Sequence, residues 1–210
     1  MSRIFSFDTI QTMSTELIHE RLERIANLLR TDTRRAGVSF GLQPVQIEAL
    51  NYLSHCNRYS NSPVAVADFL GLTKGTVSQT LTVLELAGLI EKRPDAKDRR
   101  VVHLELTGPG RRVLAQCVPP KSLVAAIDVL DDGEQKALIE SLSGILRALQ
   151  KANGLRSFGV CESCRHHSIR SNGIRHCNLT GEGLSPADSE KICREHEAPA
   201  SARTKEALLS

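Results

Sequence analysis

Two short helical patterns separated by a turn constrain the fold of this chain most strongly. Ser62 and Pro63 are typical of the first residues of a helix, and Gly71 is typical of the residue that ends one. A second helical pattern begins at once, with Thr73 as its cap and Gly88 after its last turn. Two helices joined by such a short turn form a helix-turn-helix.

The residues after Gly88 change from a helical pattern to a strand pattern. The segments LIEKR and RVVHLEL are rich in β-branched and alternating apolar residues, and PDAKDR between them is rich in turn-forming residues. Residues 91–100 carry five Lys or Arg and three Asp or Glu. The pattern predicts a β-hairpin with a charged tip, which is a wing behind the helix-turn-helix.

Further helical patterns flank this central region on both sides. Apolar residues recur at helical spacing in five segments, namely Asp8–Leu29, 43–55, Thr107–Cys117, 122–130 and Asp131–Ala152. Asp131 and Glu134 match a capping box at the start of the last segment. The chain is therefore predicted to be mainly α with a small β-hairpin wing and long helices at both ends.

Composition restricts the way in which this chain recognises a partner. Aromatic residues make up only 3% of the chain and Trp is absent, so recognition of bases by aromatic stacking is not expected. The net charge of +3 is too small to indicate nucleic-acid binding by itself. A DNA-binding surface must therefore be a local feature.

Hydropathy and motif searches point to a cytoplasmic protein that is not an enzyme. The sequence has no apolar run close to the roughly 18 residues that a membrane-spanning helix needs, and its first residues lack the apolar part of a signal peptide. It also has no phosphate-binding loop, nucleotide fingerprint or catalytic triad pattern. A cytoplasmic location with no membrane partner is expected.

The segment from Val77 to Leu114 resembles the MarR family of transcriptional regulators. It contains LELAGLIEK, which matches the family pattern L-x-x-x-G-L-[IV]-x-[KR], then DRR in the wing, and LTGPG, which matches L-T-x-x-G. The resemblance extends over residues 10–150. It implies a winged-helix homodimer that binds a near-palindromic DNA operator, with the first and last long helices at the dimer interface. Many family members also bind a small molecule, so a small-molecule effector is a further expectation.

The second helix of the motif is predicted to read the major groove with its polar face. A major groove admits one helix, whose first residues reach the base edges. Gln79 is suited to adenine, and a Thr methyl group is suited to thymine. The predicted DNA contacts on this helix are Lys74, Thr76, Ser78, Gln79 and Thr80. The alternative is an ordinary solvated helix face.

The wing is predicted to contact the minor groove and the phosphate backbone. The negative potential of the minor groove attracts Arg side chains, and a neighbouring carboxylate can hold a guanidinium group rigid. By resemblance to the family, Arg100 enters the groove and Asp98 orients it, while Lys97 and Arg99 contact phosphate. The alternative is a charged surface turn whose ion pairs contribute little.

Residues 154–200 carry a cysteine pattern that is typical of a metal site. Four of the six cysteines follow the spacing C-x2-C-x12-C-x15-C, at Cys161, Cys164, Cys177 and Cys193. Two thiolates in a C-x-x-C pair can hold one metal from a single turn. The segment is poor in apolar residues, so a metal would supply stability that burial cannot. A loop-rich metal-binding module is therefore predicted, followed by a flexible tail over residues 201–210.

The spacing leaves two metals open for this module. The cysteine spacing resembles that of high-potential iron proteins, which slightly favours a [4Fe–4S] cluster. The histidines in the segment favour zinc, and His196 is the most serious substitute ligand. An iron–sulfur cluster would make the module a redox sensor, whereas zinc would make it structural or a metal sensor.

Two alternatives to a regulator remain open at this point. One is an oxidoreductase that depends on the cluster or on thiols. The other is an adaptor that uses the cysteine module to bind another protein. The residues 1–153 would form the DNA-binding and dimerisation domain in the favoured interpretation.

Overall fold

The structure is a computed structural model that describes residues 7–96 and 98–199, with side chains from Ser14 onward. The prediction for Lys97 and that for residues 201–210 lie outside this range. The described chain contains eight α-helices and two small antiparallel sheets. Within this range no helix is both long and apolar enough to cross a membrane.

The helix-turn-helix is built from α3 (Pro63–Leu70) and α4 (Lys74–Leu86), and α2 (Pro44–His55) packs against both. The hydroxyl of Ser62 accepts the backbone N–H of Ala65 and the hydroxyl of Thr73 accepts that of Thr76, so both are N-caps as predicted. Gly71 adopts a left-handed conformation with a φ of +64°, which ends α3.

The wing consists of β1 (Ile90–Pro94) and β2 (Val102–Leu106), which pair in antiparallel register from Ile90 with Leu106 to Pro94 with Val102. Ile90, Leu104 and Leu106 point into the core, whereas Glu91 and Arg93 are exposed. The apolar side chains therefore fix the hairpin on the helices and leave its charged tip in solvent.

The remaining helices of the first 153 residues are α1 (Phe7–Val38), α5 (Gly108–Cys117), α6 (Lys121–Ile127) and α7 (Asp132–Ala152). The helix α1 continues nine residues beyond the predicted Leu29, because residues 30–38 are helical although the apolar stripe has ended. The helix α6 ends at Ile127, before the predicted Leu130. Asp131 forms the predicted capping box with Glu134.

The C-terminal module has more secondary structure than the predicted loops. A 3₁₀ turn (Cys161–Ser163) precedes the strands β3 (His167–Ile169), β4 (Arg175–Cys177) and β5 (Glu182–Leu184), which form one antiparallel sheet, and the short helix α8 (Pro186–Ser189) follows. Each strand has three residues, which is too short for an alternating pattern to be recognised in the sequence.

This module folds back onto the helical domain. Ile192 forms a parallel bridge with Cys56 at the end of α2 and an antiparallel bridge with Val160 inside the module. Its N–H donates to the carbonyl of His55 (3.0 Å), and its own carbonyl accepts the N–H of Asn57 (2.9 Å). Backbone hydrogen bonds therefore join the module to the loop between α2 and α3.

Side chains extend this contact on both sides of the bridge. Phe158 packs edge-to-face on Tyr52 of α2 and Phe69 of α3, with ring centroids 5.9 and 5.1 Å away. Arg58 donates to the carbonyl of Gly183 in β5 (2.6 Å). Because Phe158 is buried together with the residues of the helical core, the module and the domain share one apolar core.

Candidate nucleic-acid interface and cysteine site

The helix α4 separates an apolar face from a polar face, as an inserted recognition helix requires. Val77, Leu81 and Leu84 are almost completely buried. Four of the five residues predicted to contact bases are exposed, and they are Lys74, Thr76, Ser78 and Gln79. The core therefore fixes the orientation of α4 and leaves its first two turns open to a ligand.

Thr80 is the exception, and its predicted place on the exposed face is wrong. Its side chain is only 6% exposed, and its hydroxyl donates to the carbonyl of Thr76 (2.9 Å). The cause is helical spacing, because Thr80 lies three residues after Val77 and so shares the buried face. Its hydroxyl is therefore not available to a base edge.

At the tip of the wing, Asp98 holds Arg100 as the sequence predicts. The Nε and Nη2 atoms of Arg100 donate to the two carboxylate oxygens of Asp98 at 3.0 and 2.8 Å, and the Arg100 side chain is 91% exposed. These hydrogen bonds lower the pKa of the Asp98 carboxyl, so the pair is charged at neutral pH. Arg99 is also exposed.

The recognition helix and the wing lie side by side. Lys74, Ser78 and Leu81 of α4 line one open groove together with Lys92 and Val102 of the hairpin. The polar face of α4 thus borders the same groove as the two strands of the hairpin. A duplex that received α4 in its major groove would meet the wing beside it.

In the C-terminal module, the structure brings the four predicted metal ligands together. Cys161, Cys164, Cys177 and Cys193 line one enclosed cavity of about 30 Å³. The C-x-x-C pair comes from the 3₁₀ turn, Cys177 from the end of β4, and Cys193 from the segment that docks on α2. Tyr59 also lines the cavity, so residues more than 100 positions apart in the sequence meet here.

The thiols of this cavity differ in their surroundings, since Cys161 is buried and Cys164 lies near a backbone hydrogen-bond donor. Burial raises the pKa of the Cys161 thiol to about 12, and the nearby Cys193, Cys177 and Cys164 contribute to the rise. The backbone N–H of Glu197 points at the sulfur of Cys164 (3.4 Å). In the described residues no group of three or more His, Cys, Asp or Glu side chains is arranged to hold a metal ion.

The histidines of the module are placed differently from the cysteines. His196 does not line the cavity, because its two ring nitrogens lie 2.9 and 3.0 Å from the hydroxyls of Ser157 and Ser163. Burial lowers its pKa, which favours the neutral ring. His166 and His167 line the cavity instead. They lie two and three residues after Cys164 in the sequence, and this short spacing is the local signal of their position.

The other two cysteines are buried in the helical domain, away from this cavity. Cys56 and Cys117 are 4% and 1% exposed, and burial raises the pKa of Cys56 to about 12. All six cysteines are free thiols. Cys56 and Cys117 are therefore small apolar residues of the core.

Comparison with known proteins finds similar sequences for the central part of the chain. Residues 40–101 match the model of the MarR family. The transcriptional repressor MprA of Escherichia coli K12 is 31% identical over 81 residues, which are 39% of this chain and 46% of that protein. The chain thus spans about half the length of the curated relatives that it matches.

Solved structures extend the likeness to most of the helical domain. A MarR transcriptional regulator from Methanosarcina mazei superimposes with a TM-score of 0.55 at 20% identity and covers 65% of this chain and 99% of that one. CouR from Rhodococcus jostii gives 0.51 at 21% identity, with 63% and 90% covered. These likenesses confirm the predicted winged-helix fold. These relatives are named as a transcriptional repressor and as a transcriptional regulator.

Proposed function

We propose that this chain is a MarR-family transcriptional regulator that binds double-stranded DNA as a homodimer, since residues 40–101 match the model of that family. The observation that supports this function best is the pairing of an exposed polar recognition helix with an Arg held rigid at the wing tip. The helix reads base edges in the major groove, and the wing occupies the neighbouring minor groove.

The homodimer is supported by the apolar surfaces of the two long helices. None of the side chains of α7 is buried, although six large apolar residues lie on it, namely Leu138, Ile139, Leu142, Ile145, Leu146 and Leu149. On α1, Leu17, Ile25 and Leu28 are at least half exposed. Contiguous apolar surface of this kind marks an interface, and a second copy of the chain covers it.

Replacing Arg100 by Ala is expected to weaken operator binding about tenfold or more for each half-site, since a good Arg contact contributes about 1–3 kcal/mol. The duplex would be one selected by the wild-type protein from a random-sequence library, and the affinity would be measured by gel-shift titration at fixed salt. The thermal stability should not change, because the Arg100 side chain is 91% exposed.

Arg111→Ala is the matched control, because it removes an exposed Arg from α5, outside the recognition helix and the wing. It should retain most of the affinity. Equal losses in Arg100→Ala and Arg111→Ala would mean that only overall charge matters, and unchanged affinity in Arg100→Ala would refute the groove role.

For the C-terminal module we propose one metal centre held by Cys161, Cys164, Cys177 and Cys193. Support comes from the cavity between the four thiols, from the N–H of Glu197 directed at the sulfur of Cys164, and from their spacing in the sequence. A zinc ion requires four ligands at bonding distance from one point, whereas a [4Fe–4S] cluster separates its thiolates. The cysteine spacing, which resembles that of high-potential iron proteins, slightly favours the cluster over zinc.

Protein purified under argon is expected to be brown, with broad visible absorbance and with iron and acid-labile sulfide bound. Cys161→Ser should lose the colour and the metal, because it removes one thiolate of the proposed ligand set. The measurement is metal and sulfide analysis together with an absorbance spectrum.

The control is Cys117→Ala, which removes a thiol outside the cavity and should keep the metal content of the wild type. Colourless protein with one bound zinc would contradict the cluster but not the four-cysteine centre. If neither the wild-type protein nor Cys117→Ala contained bound metal, the result would contradict the metal centre itself.

A small molecule is proposed as a further partner of the helical domain. CouR, which shares the fold, is described in complex with p-coumaroyl-CoA. In this chain an open groove of about 270 Å³ lies between α1 and the segment that joins α5 to α6, lined by Asp32, Gln116 and Lys121 among others. Its size and mixed polarity fit part of a polar organic molecule.

A further inference from the structure

The loop between α2 and α3, residues 56–62, contacts both the cysteine module and the wing. It is short, and two of its polar side chains, Asn57 and Ser60, are almost completely buried. The hydroxyl of Ser60 donates to the Asn57 side chain (3.0 Å), and the hydroxyl of Tyr52 donates to the Ser60 carbonyl (2.7 Å). These two hydrogen bonds restrain the loop, while the side-chain nitrogen of Asn57 is buried without a hydrogen-bond partner among the described residues.

On the module side, the loop is held by the residue that follows a proposed metal ligand. The backbone N–H of Arg194, next to Cys193, donates to the hydroxyl of Ser60 (2.8 Å). The guanidinium of Arg194 also binds the carboxylate of Asp68 in α3 at 2.6 and 2.7 Å. A shift of Cys193 therefore moves Arg194, which is hydrogen-bonded both to the loop and to α3, the first helix of the helix-turn-helix.

On the wing side, the loop behaves as an extra partner of strand β2. The carbonyl of Asn61 accepts the N–H of Leu104 (2.7 Å), and the Asn61 side-chain oxygen lies 2.7 Å from Nδ1 of His103. The wing thus rests directly on the residue that follows Ser60.

His103 continues the chain of contacts to the wing tip. Its Nε2 lies 3.1 Å from the carboxylate of Asp95, and the other oxygen of that carboxylate accepts the N–H of Asp98 (2.9 Å). The Asp98 carboxylate in turn accepts hydrogen bonds from the Nε and Nη2 atoms of Arg100. A continuous series of polar contacts therefore runs from Cys193 to the side chain proposed to enter the minor groove.

We propose that residues 56–61 and His103 transmit the state of the cysteine centre to Arg100, so that loss of the metal lowers the affinity for DNA. This inference rests on the proposed DNA binding and on the proposed metal centre. Arg194 and Ser60 receive the signal, and Asn61, His103 and Asp95 pass it to the wing. His103 is a positioning residue, because it acts on DNA only through the Asp95 and Asp98 carboxylates.

The test compares the affinity of metal-loaded and metal-free protein for one duplex. The duplex is selected by the metal-loaded wild-type protein from a random-sequence library, and the metal is removed with a chelator under argon. In the wild type, metal loss should weaken binding about 5- to 150-fold, the usual range for two coupled sites. In His103→Ala this ratio should fall to about one, with unchanged metal content.

His55→Ala is the matched control, because His55 is exposed at the end of α2 and its Nδ1 lies 2.8 Å from the Ser54 hydroxyl and from the Asn51 carbonyl, both on the same helix. It should keep the wild-type ratio. A purely structural role of His103 would weaken both forms equally and leave the ratio unchanged, which would overturn the relay.

Arg100→Ala provides the second measurement. Because the signal is proposed to end at Arg100, metal loss should have little effect on the DNA affinity of this variant, and its ratio should be close to one. A wild-type ratio near one would also overturn the proposal if the wild-type protein binds the metal and selects DNA. Failure of the wild-type protein to select DNA or to bind metal would instead refute the proposed function.

Discussion

Gly110→Ala is expected to lower the free energy of unfolding by about 3 kcal/mol, the upper part of the range for a group added to a close-packed site. Gly110 lies in the first turn of α5, where an added Cβ would stand 2.1 Å from the carbonyl oxygen of Leu89. That oxygen also accepts the N–H of Thr107 (3.1 Å), so it cannot move without breaking this bond. The packing of α5 on the wing would have to open.

Gly108→Ala is the matched control in the same turn. There the nearest atom to an added Cβ is the end of the flexible Arg112 side chain, at 3.5 Å. It should change the stability by less than about 1 kcal/mol. Urea denaturation at one fixed protein concentration measures both variants, because the stability of the proposed homodimer would depend on concentration. Equal stability of the two variants would contradict the close approach of α5 and Leu89.

Phe158→Ala is expected to weaken the docking of the C-terminal module by about 3–5 kcal/mol, the usual cost of truncating a buried Phe. Phe158 is 7% exposed and packs on Tyr52 and Phe69. The loss of its ring leaves the backbone bridges of Ile192 without the apolar contact beside them. Amide hydrogen exchange of residues 56–60 and 190–194 should become faster, while that of α4 changes little.

Ile169→Ala serves as the control for this prediction, since Ile169 is an exposed apolar residue of the same module. It should leave exchange at residues 56–60 as in the wild type. If Phe158→Ala also left that exchange unchanged, the module would be held by its hydrogen bonds and ion pairs and not by the aromatic cluster.

The helical domain could be predicted from the sequence because its signals are local. The caps Ser62, Thr73, Thr107 and Asp131 are within three residues of the groups that they bind, and each forms the expected hydrogen bond. Such contacts depend on side-chain chemistry and short spacing alone. The family pattern in the wing was equally local, and the Asp98–Arg100 pair has the predicted geometry.

The misplaced Thr80 shows where local chemistry was insufficient. Its hydroxyl suggested the polar face, but helical geometry places it beside Val77 and Leu81, and the carbonyl of Thr76 satisfies its hydrogen bond. A small polar residue can be buried in this way at little cost, so its chemical type alone does not decide which side of a helix it occupies.

The docking of the module could not be predicted, because it depends on contacts between distant parts of the chain. Arg58 binds Gly183, and Arg194 binds Asp68, across more than one hundred residues of sequence. The four cysteines were found from spacing alone, but their approach to Tyr59 follows only from the folded chain. No periodicity or capping pattern encodes contacts of this kind.

The return of the chain from α7 to the end of α2 also has a mechanical consequence. The backbone leaves the domain along α7, passes through the module and rejoins the domain at Cys56, so it closes a ring. A domain that is attached to the module at two points has fewer hinge motions than a domain attached at one, and this holds for the unit that we propose to bind DNA. In a dimer the spacing of the two units would be held more narrowly, and operators whose half-sites are one base pair closer or farther apart would be rejected more strongly.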